Sequence, residues 1–419
     1  MSKFTNNFLA PSHGVELRNE ALTLLSSLPV PTRRNERWKY SSVSKLINAS
    51  LETYKGGEVG IEGWPKEINP NPVPQLEAYR IVFRNGVYEP TLSELPTFKG
   101  VVCMPLSSIS EEQSKTLFSN KYHKTEWVGA LNAAYYQDGF YLHVSKNIKL
   151  DRPIIVHHLT DGENVANFPR HFVRIDEGGE AEVVVWTTAS QDSSGMCNSL
   201  FEASIAPNAQ LFLEKITNEE GEIYSFAHDF IIQEADSRFK AHNFTIKGSW
   251  VRNELSIVSA GKGTDTIFNG AYLPCGNEHV DNHTTMDHTY PDGTSSELYR
   301  GIMYGKSTGV FNGKVFVRPD AQRTNAFQQN TNIVADRGAS INAKPELEIY
   351  ADDVKCAHGC TVGQFDLEAL FYLKSRGLDE NAARTLLVEA FIADVLSSVP
   401  NEALRNEIKR LYSERHHWS

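Results

Sequence analysis

The sequence predicts a mainly-β chain of stacked coils with helical ends, and three observations carry that expectation. Helical periodicity is missing from about Asp151 to Val354, where short β-branched and aromatic runs alternate with turns of small polar residues. The turns keep a rhythm: Glu177-Gly178-Gly179-Glu180, Ala206-Pro207-Asn208-Ala209, Glu234-Ala235-Asp236-Ser237 and Ala260-Gly261-Lys262-Gly263 recur at roughly 28-residue intervals. Further turns come at about half that spacing, at Asp292-Gly293, Lys306-Ser307, Pro319-Asp320 and Asp336-Arg337-Gly338. Short strands over about 200 residues fit a sandwich, a barrel or a solenoid. Even spacing, with apolar Ile341 and Ile349 flanked by polar residues, favours stacked coils. The open ends of such a stack need caps, which would give the helical termini a purpose.

Residues 1–150 read as a mixed N-terminal region. Val15, Leu17, Ala21, Leu22, Leu24, Leu25 and Leu28 recur at helical spacing, and Pro29 and Pro31 stop that helix. Arg33-Arg34-Asn35-Glu36-Arg37-Trp38-Lys39-Tyr40 comes next, charged but carrying two aromatics. Gly56 to Pro74 reads as loop, and a short helix-then-strand region runs to about Asn147. Residues 151–360 form the β core. Residues 361–419 turn helical. Asp366 is placed to cap a helix over Leu367 to Arg376, which Gly377 closes. Asp379 begins a second helix, through Ala383, Leu386, Leu387, Ala390, Phe391 and Val395; Pro400 ends it and starts a third, Asn401 to His416. The stripe of Leu386, Leu387, Ala390 and Phe391 suits core packing, but on a small terminal bundle part of such a stripe faces a partner.

The 419 residues are 40% hydrophobic and 22% charged, the balance of an ordinary soluble protein. A net charge of −11 argues against non-specific binding to nucleic acid or to an acidic membrane surface. No run approaches the length of a membrane-spanning helix. Ser2 to Asn7 is polar, and Glu16, Arg18 and Glu20 interrupt the next stretch, so no apolar leader core is expected. The cysteines at 103, 197, 275, 356 and 360 are odd in number and mostly far apart. That pattern fits a reducing compartment, and a cytoplasmic location is expected.

Chemistry concentrates in Cys356-Ala357-His358-Gly359-Cys360, where the strand-like alternation of Leu347 to Val354 ends. Thiolates bind soft metals, and an imidazole both ligates and titrates near neutral pH. The bland alternative is a β-turn with two buried cysteines and a structural histidine. Gly301-Ile302-Met303-Tyr304-Gly305-Lys306-Ser307 imitates a phosphate-binding loop but has three residues between its glycines instead of four. It also leads into Val310 to Val317, which reads as a strand, where the motif must open a helix. On a strand, His279, Asp281, His283 and Asp287 would share one face. That suits a zinc or iron site, or a polar ladder of side chains bonded to one another. Cys275 sits at a turn, while Cys103 and Cys197 read as packing residues. Gln328-Gln329-Asn330-Thr331-Asn332 suits an amide ladder between coils.

Pro345 to Gly359, then Phe371-Tyr372-Leu373-Lys374-Ser375-Arg376-Gly377-Leu378, closely resembles the SufB/SufD family of iron–sulfur cluster assembly proteins. Gly305-Lys306-Ser307, Phe311-Asn312-Gly313-Lys314-Val315 and Ala321-Gln322-Arg323-Thr324-Asn325-Ala326 match it as well, so the false phosphate loop belongs to the family pattern. Glu36-Arg37-Trp38-Lys39-Tyr40 looks like the SufD branch. The resemblance implies a right-handed parallel β-helix between N-terminal and C-terminal helical regions. It implies a non-enzymatic scaffold subunit that pairs edge-on with SufB. The C-terminal helices, with Leu386, Leu387 and Phe391, would dock the ATPase SufC. In the family, the histidine matching His358 lies at the SufB–SufD interface and helps to build the cluster with a cysteine of SufB. Cys356 matches a cysteine beside it; Cys360 stands where the family pattern has a small residue. No firmly bound cofactor is implied, only a transient iron–sulfur cluster shared with SufB and a reduced flavin somewhere in the complex. A homodimer in isolation is a further expectation. Few mixed nitrogen and sulfur ligands split across an interface hold a cluster weakly enough to release it. The rival reading is a polysaccharide-active β-helix enzyme using the His279–His288 cluster, although calcium, the usual partner in such grooves, prefers oxygen ligands.

Overall fold

A computed structural model describes residues 2–9, 14–56, 60–110, 112–113, 117 and 126–416. Strands take up 43% of the chain and wind into a parallel β-solenoid of about eight turns, with helices at both termini. Each coil contributes one strand to each of two sheets. One sheet runs through Glu180–Ala189, Gln210–Glu219, Arg238–Lys247, Asp265–Tyr272, Thr294–Met303, Asn325–Val334 and Lys355–Gly363. The facing sheet runs through Ser194–Ile205, Glu222–Gln233, Trp250–Ser259, His279–His288, Thr308–Val317 and Ser340–Ile349. Partners across these ladders lie one coil apart, from 26 residues (Tyr224 with Trp250) to 32 (Thr308 with Ser340). The sequence rhythm is therefore the coil length.

One corner of the stack explains the turn residues. Gly178, Asn208, Asp236, Gly263, Asp292 and Arg323 all have φ between 58° and 68° and sit above one another. The amide of each donates to a carbonyl of the next coil, as Asn208 does to Ala235 and Asp236 to Lys262. Left-handed backbone costs little for Gly, Asn and Asp, which is why small polar residues recur there. Arg323 is the exception, and its guanidinium grips Asp292 of the preceding coil at 2.6 and 2.8 Å.

The helices lie along the outer faces of the sheets, not over the two ends as the capping argument expects. Val388, Ile392, Val395, Leu404, Ile408 and Tyr412 of the C-terminal helices pack on outward-facing Val184, Trp186, Ile216, Phe244 and Ile302. The Trp127–Tyr135 and Val15–Ser27 helices cover the other sheet over Phe168, Phe172, Met196 and Phe226. Outward apolar rows bury more surface this way than the narrow end of a coil offers. The N-terminal end is closed by antiparallel strands Val87–Tyr88 and Val101–Pro105. Among the described residues nothing covers the other end. Burial records the gradient: Ile154–Thr160 is buried throughout, whereas Lys355–Gly363 is almost wholly exposed.

The aromatic-bearing segment near the N-terminus clasps the second sheet. Trp38, 3% exposed, lies under the Arg252 guanidinium at 4.0 Å. Arg252 donates to Asp281 at 2.6 Å and to the Arg37 carbonyl at 2.9 Å. His283 reaches the other Asp281 oxygen at 2.9 Å, and Ser41 bonds both Asp281 and His279. His279, Asp281 and His283 thus belong to a polar network beneath the N-terminal segment, whereas Asp287 pairs with Arg318 and His288 with Ser295. Burial works against the Asp281 charge, but His283 and Arg252 outweigh it and hold the carboxyl well below its ordinary range. Asp281→Ala should lower stability by about 3 kcal/mol, because it leaves the buried Arg252 charge with only the more distant Glu254, at 3.4 Å. Faster limited proteolysis between residues 33 and 43, with a lower urea midpoint, is the expected signature.

Candidate functional site

The last coil carries Cys356, His358 and Cys360 on the strand Lys355–Gly363, not in a turn after a strand. Alternation along a strand puts all three on one face. Register shows which face: Cys356 lies beside Ala326, His358 beside Gln328 and Cys360 beside Asn330. Ala326 belongs to the solenoid core, so the three side chains continue the interior column of the coil beneath. With no coil beyond, the column ends in solvent. Cys356 is half-buried, whereas His358 and Cys360 are exposed.

An open cavity of about 410 Å³ lies over the outer face of this end of the sheet, lined by the outward-facing Ser296, Leu298, Phe327, Gln329 and Thr331, while Glu297, Gln328 and His358 alternate to the inward face. Beneath it the interior is polar. Thr284 donates to Glu297 at 2.6 Å, and the Gln328 amide donates to the other Glu297 oxygen at 2.7 Å. Tyr272 donates to Asn332 at 2.7 Å, Asn332 to Asn330 at 2.5 Å, and the Cys360 thiol faces the Asn330 carbonyl oxygen at 3.7 Å. The amides read from the sequence as a ladder between coils instead bond within their own strand, Asn332 to Asn330, and reach other coils through Tyr272, Glu297 and the Cys360 thiol. Sequence reasoning missed Glu297; an acidic residue at an inward-facing position of a strand was the signal available.

Burial raises the thiols of Cys356 and Cys360 above their ordinary value, so neither is activated within this chain. The remaining thiols behave as packing groups: Cys197 sits in a small apolar cluster with Ala189 and Ile223, and burial pushes Cys103 up to about 12. Cys275 occupies a corner, 3.6 Å from His416 Nδ1. Among the described residues, no three His, Cys, Asp or Glu side chains are arranged to hold a metal ion. The corner at Gly305 is already occupied, since its amide donates to Asp336 at 2.6 Å and a strand comes after it. A cleft of about 550 Å³ lies between residues 67–72, the first sheet and the last helix, and its lining Arg410 is held by Glu407 and Glu414.

The C-terminal helices begin as the sequence predicts. Asp366 accepts from the amides of Glu368 and Ala369, and Asp379 from that of Ala382. Leu386 is 46% exposed, while Leu387 and Phe391 are half-buried and Phe391 packs against the core under Arg300. More exposed are Leu367 at 69% and Phe371 at 74%, with Tyr372 beside them. Large apolar side chains left out together on one short helix mark a contact surface. A second exposed apolar set, Phe327, Ile349, Tyr350 and Val362, rims the open end.

Residues 158–391 match the SufBD core domain of SUF system FeS cluster assembly, and residues 12–156 match the SufBD protein N-terminal region. The chain belongs to the SufBD family. It is 29% identical to the iron–sulfur cluster assembly protein SufD of Escherichia coli K12, over 92% of this chain and 89% of that one. A SufBD family protein of Synechocystis is 30% identical over 96% of this chain and 91% of its own. The chloroplastic protein ABCI7 of Arabidopsis thaliana is 26% identical over 94% and 84%. In this SufBD protein no helix among the described residues is long and apolar enough to cross a membrane.

Burial pushes the Glu297 carboxyl from its ordinary 4.5 to about 7, against the opposing bonds from Thr284 and Gln328. The native state then holds a proton that the unfolded chain gives up. Stability is full below the ordinary value and is lost as pH rises through 7. Glu297→Gln should therefore stabilise the fold by roughly 3 kcal/mol at pH 8, shrinking below about 1 kcal/mol at pH 5. Urea denaturation at the two pH values tests the sign.

Proposed function

We propose that this SufBD protein acts as the SufD-type scaffold subunit of a SUF complex, pairing edge-on with SufB through its last coil. The observation that carries this reading is the open coil itself: a strand bearing Cys356, His358 and Cys360 whose outer edge and flanking apolar side chains have no cover among the described residues. Unpaired strand edges recruit another strand, and alternate side chains then meet the partner. His358, with Cys356 beside it, would hold iron or sulfide as the nascent cluster forms, and SufB would supply the remaining ligands. Two donors on one strand, spaced about 7 Å apart at their bases, give a weak and reversible site. The cluster is cargo, built and then passed on.

The C-terminal helices would dock SufC, with Leu367, Phe371 and Leu386 as the apolar contacts. Movement of the SufC subunits on ATP binding would open or rearrange the SufB interface. The chain itself would perform no hydrolysis, and it would work in the cytoplasm as a heteromer.

His358→Ala should leave unfolding and complex formation unchanged but lower the cluster content of the co-purified complex by about tenfold or more. Cys356→Ser should lower it moderately, Cys360→Ala hardly at all, and the pair no more than Cys356→Ser alone. Iron and sulfide analysis of the purified complexes measures this; normal content in His358→Ala would overturn the assignment.

Phe371→Asp should weaken SufC capture by about thirtyfold or more while SufB still associates, since a central aromatic anchor contributes about 2 kcal/mol or more in a typical interface. Pull-down with each partner separately reads the difference.

A further inference from the structure

Gln328 carries an unusual imbalance. It is 3% exposed, and its amide nitrogen donates to Glu297 at 2.7 Å. Where Glu297 is ionised, above about pH 7, that bond fixes which end of the carboxamide points where, because a carboxylate oxygen takes the N–H end. The other end, Oε1, is buried without a hydrogen-bond partner. A buried acceptor left open in this way costs about 1–3 kcal/mol. Space for this arrangement comes from Gly313 on the facing sheet, where a Cβ would lie 2.3 Å from Gln328 Nε2. Gln328 and His358 are register partners on adjacent parallel strands and lie on the same face. Adjacent strands run about 4.8 Å apart, within reach of a turned imidazole. The exposed ring of His358 is free to turn.

We propose that Gln328, held in one orientation by Glu297, is a positioning residue that selects the tautomer of His358. The Oε1 atom accepts the ring N–H of His358, and the lone pair of the other ring nitrogen is then directed outward, to the open end of the solenoid. A histidine ligand needs that lone pair free, and the bond made by the other nitrogen decides which one it is. This inference rests on the assignment of His358 to cluster building, but its test does not. Glu297 and Gln328 touch no cargo. They act through the imidazole.

The test is the ring nitrogen spectrum, at a pH about one unit above 7 where Glu297 is ionised, of ¹⁵N-histidine-labelled full-length protein, with the His358 signals identified by their loss in His358→Ala. One tautomer should exceed the other by about tenfold in the wild type, the ratio a single hydrogen bond confers. In Gln328→Met, which keeps the length and apolar volume but removes the amide, the ratio should fall to that of an exposed histidine. Glu297→Gln should lower it as well, since two facing amides no longer fix each other's orientation. Far-ultraviolet circular dichroism confirms that each variant is folded. A wild-type ratio equal to that of an exposed histidine overturns the proposal, as does a ratio unchanged in Gln328→Met. Normal cluster content in His358→Ala would instead remove the role of His358 while leaving the tautomer result standing.

Discussion

The last coil of a parallel solenoid has no coil beyond it. The solenoid strands from Glu180–Ala189 to Asn325–Val334 give their amides and carbonyls to neighbours one coil away on both sides, but Lys355–Gly363 and Ser340–Ile349 each have one ladder only. At the opposite end, the chain resolves the same problem with antiparallel strands, and over the flat faces it lays helices. Nothing among the described residues does so here. An unpaired, partly apolar edge is a liability unless a partner takes it. The thiol–imidazole strand sits at that edge, so the placement of the site and the need for a partner have one cause.

The solenoid also controls where charge goes. Side chains that alternate along a strand face either the helices or the interior, and the interior is too narrow for water-filled space at every level. An apolar row runs the length of the interior, beside polar groups that pair level by level: His158 with His171, Lys215 with Asp229, and Thr284 and Gln328 with Glu297 near the open end. At the top of that column Gln328 keeps an acceptor without a partner, one strand away from His358. The outer network around Arg252 obeys the same need for pairing: Asp281, His283, Ser41 and Trp38 enclose a charge that would otherwise be stranded.

Different parts of this were legible to different degrees. The coil rhythm was visible because left-handed corners demand Gly, Asn or Asp at fixed intervals, and the C-terminal helices because Asp366 and Asp379 cap them. His358 and Cys356 stood out by residue type alone. Their strand conformation did not, since Ala357 and Gly359 between them have little strand preference, and pairing with Asn325–Val334 overrides it. The His279–His288 cluster read more readily as a polar ladder than as a metal site, and the partners that hold it, Arg252 and Ser41, are distant in sequence. Leu387 and Phe391 looked like surface anchors, yet the core covers them in part, because a stripe on one helix does not reveal which arc the sheet will take.

The sequence by itself determined the fold class, the coil length, the helix starts and the family, for each depends on local backbone preference or on motifs that survive as strings of residues. Only the tertiary structure decided that the helices clad the faces and leave one end open, because that outcome depends on how much apolar surface each placement buries. Only it brought Glu297 and Gln328 beneath His358, each one coil from the next, since stacking converts a separation of about 30 residues into the spacing between adjacent strands.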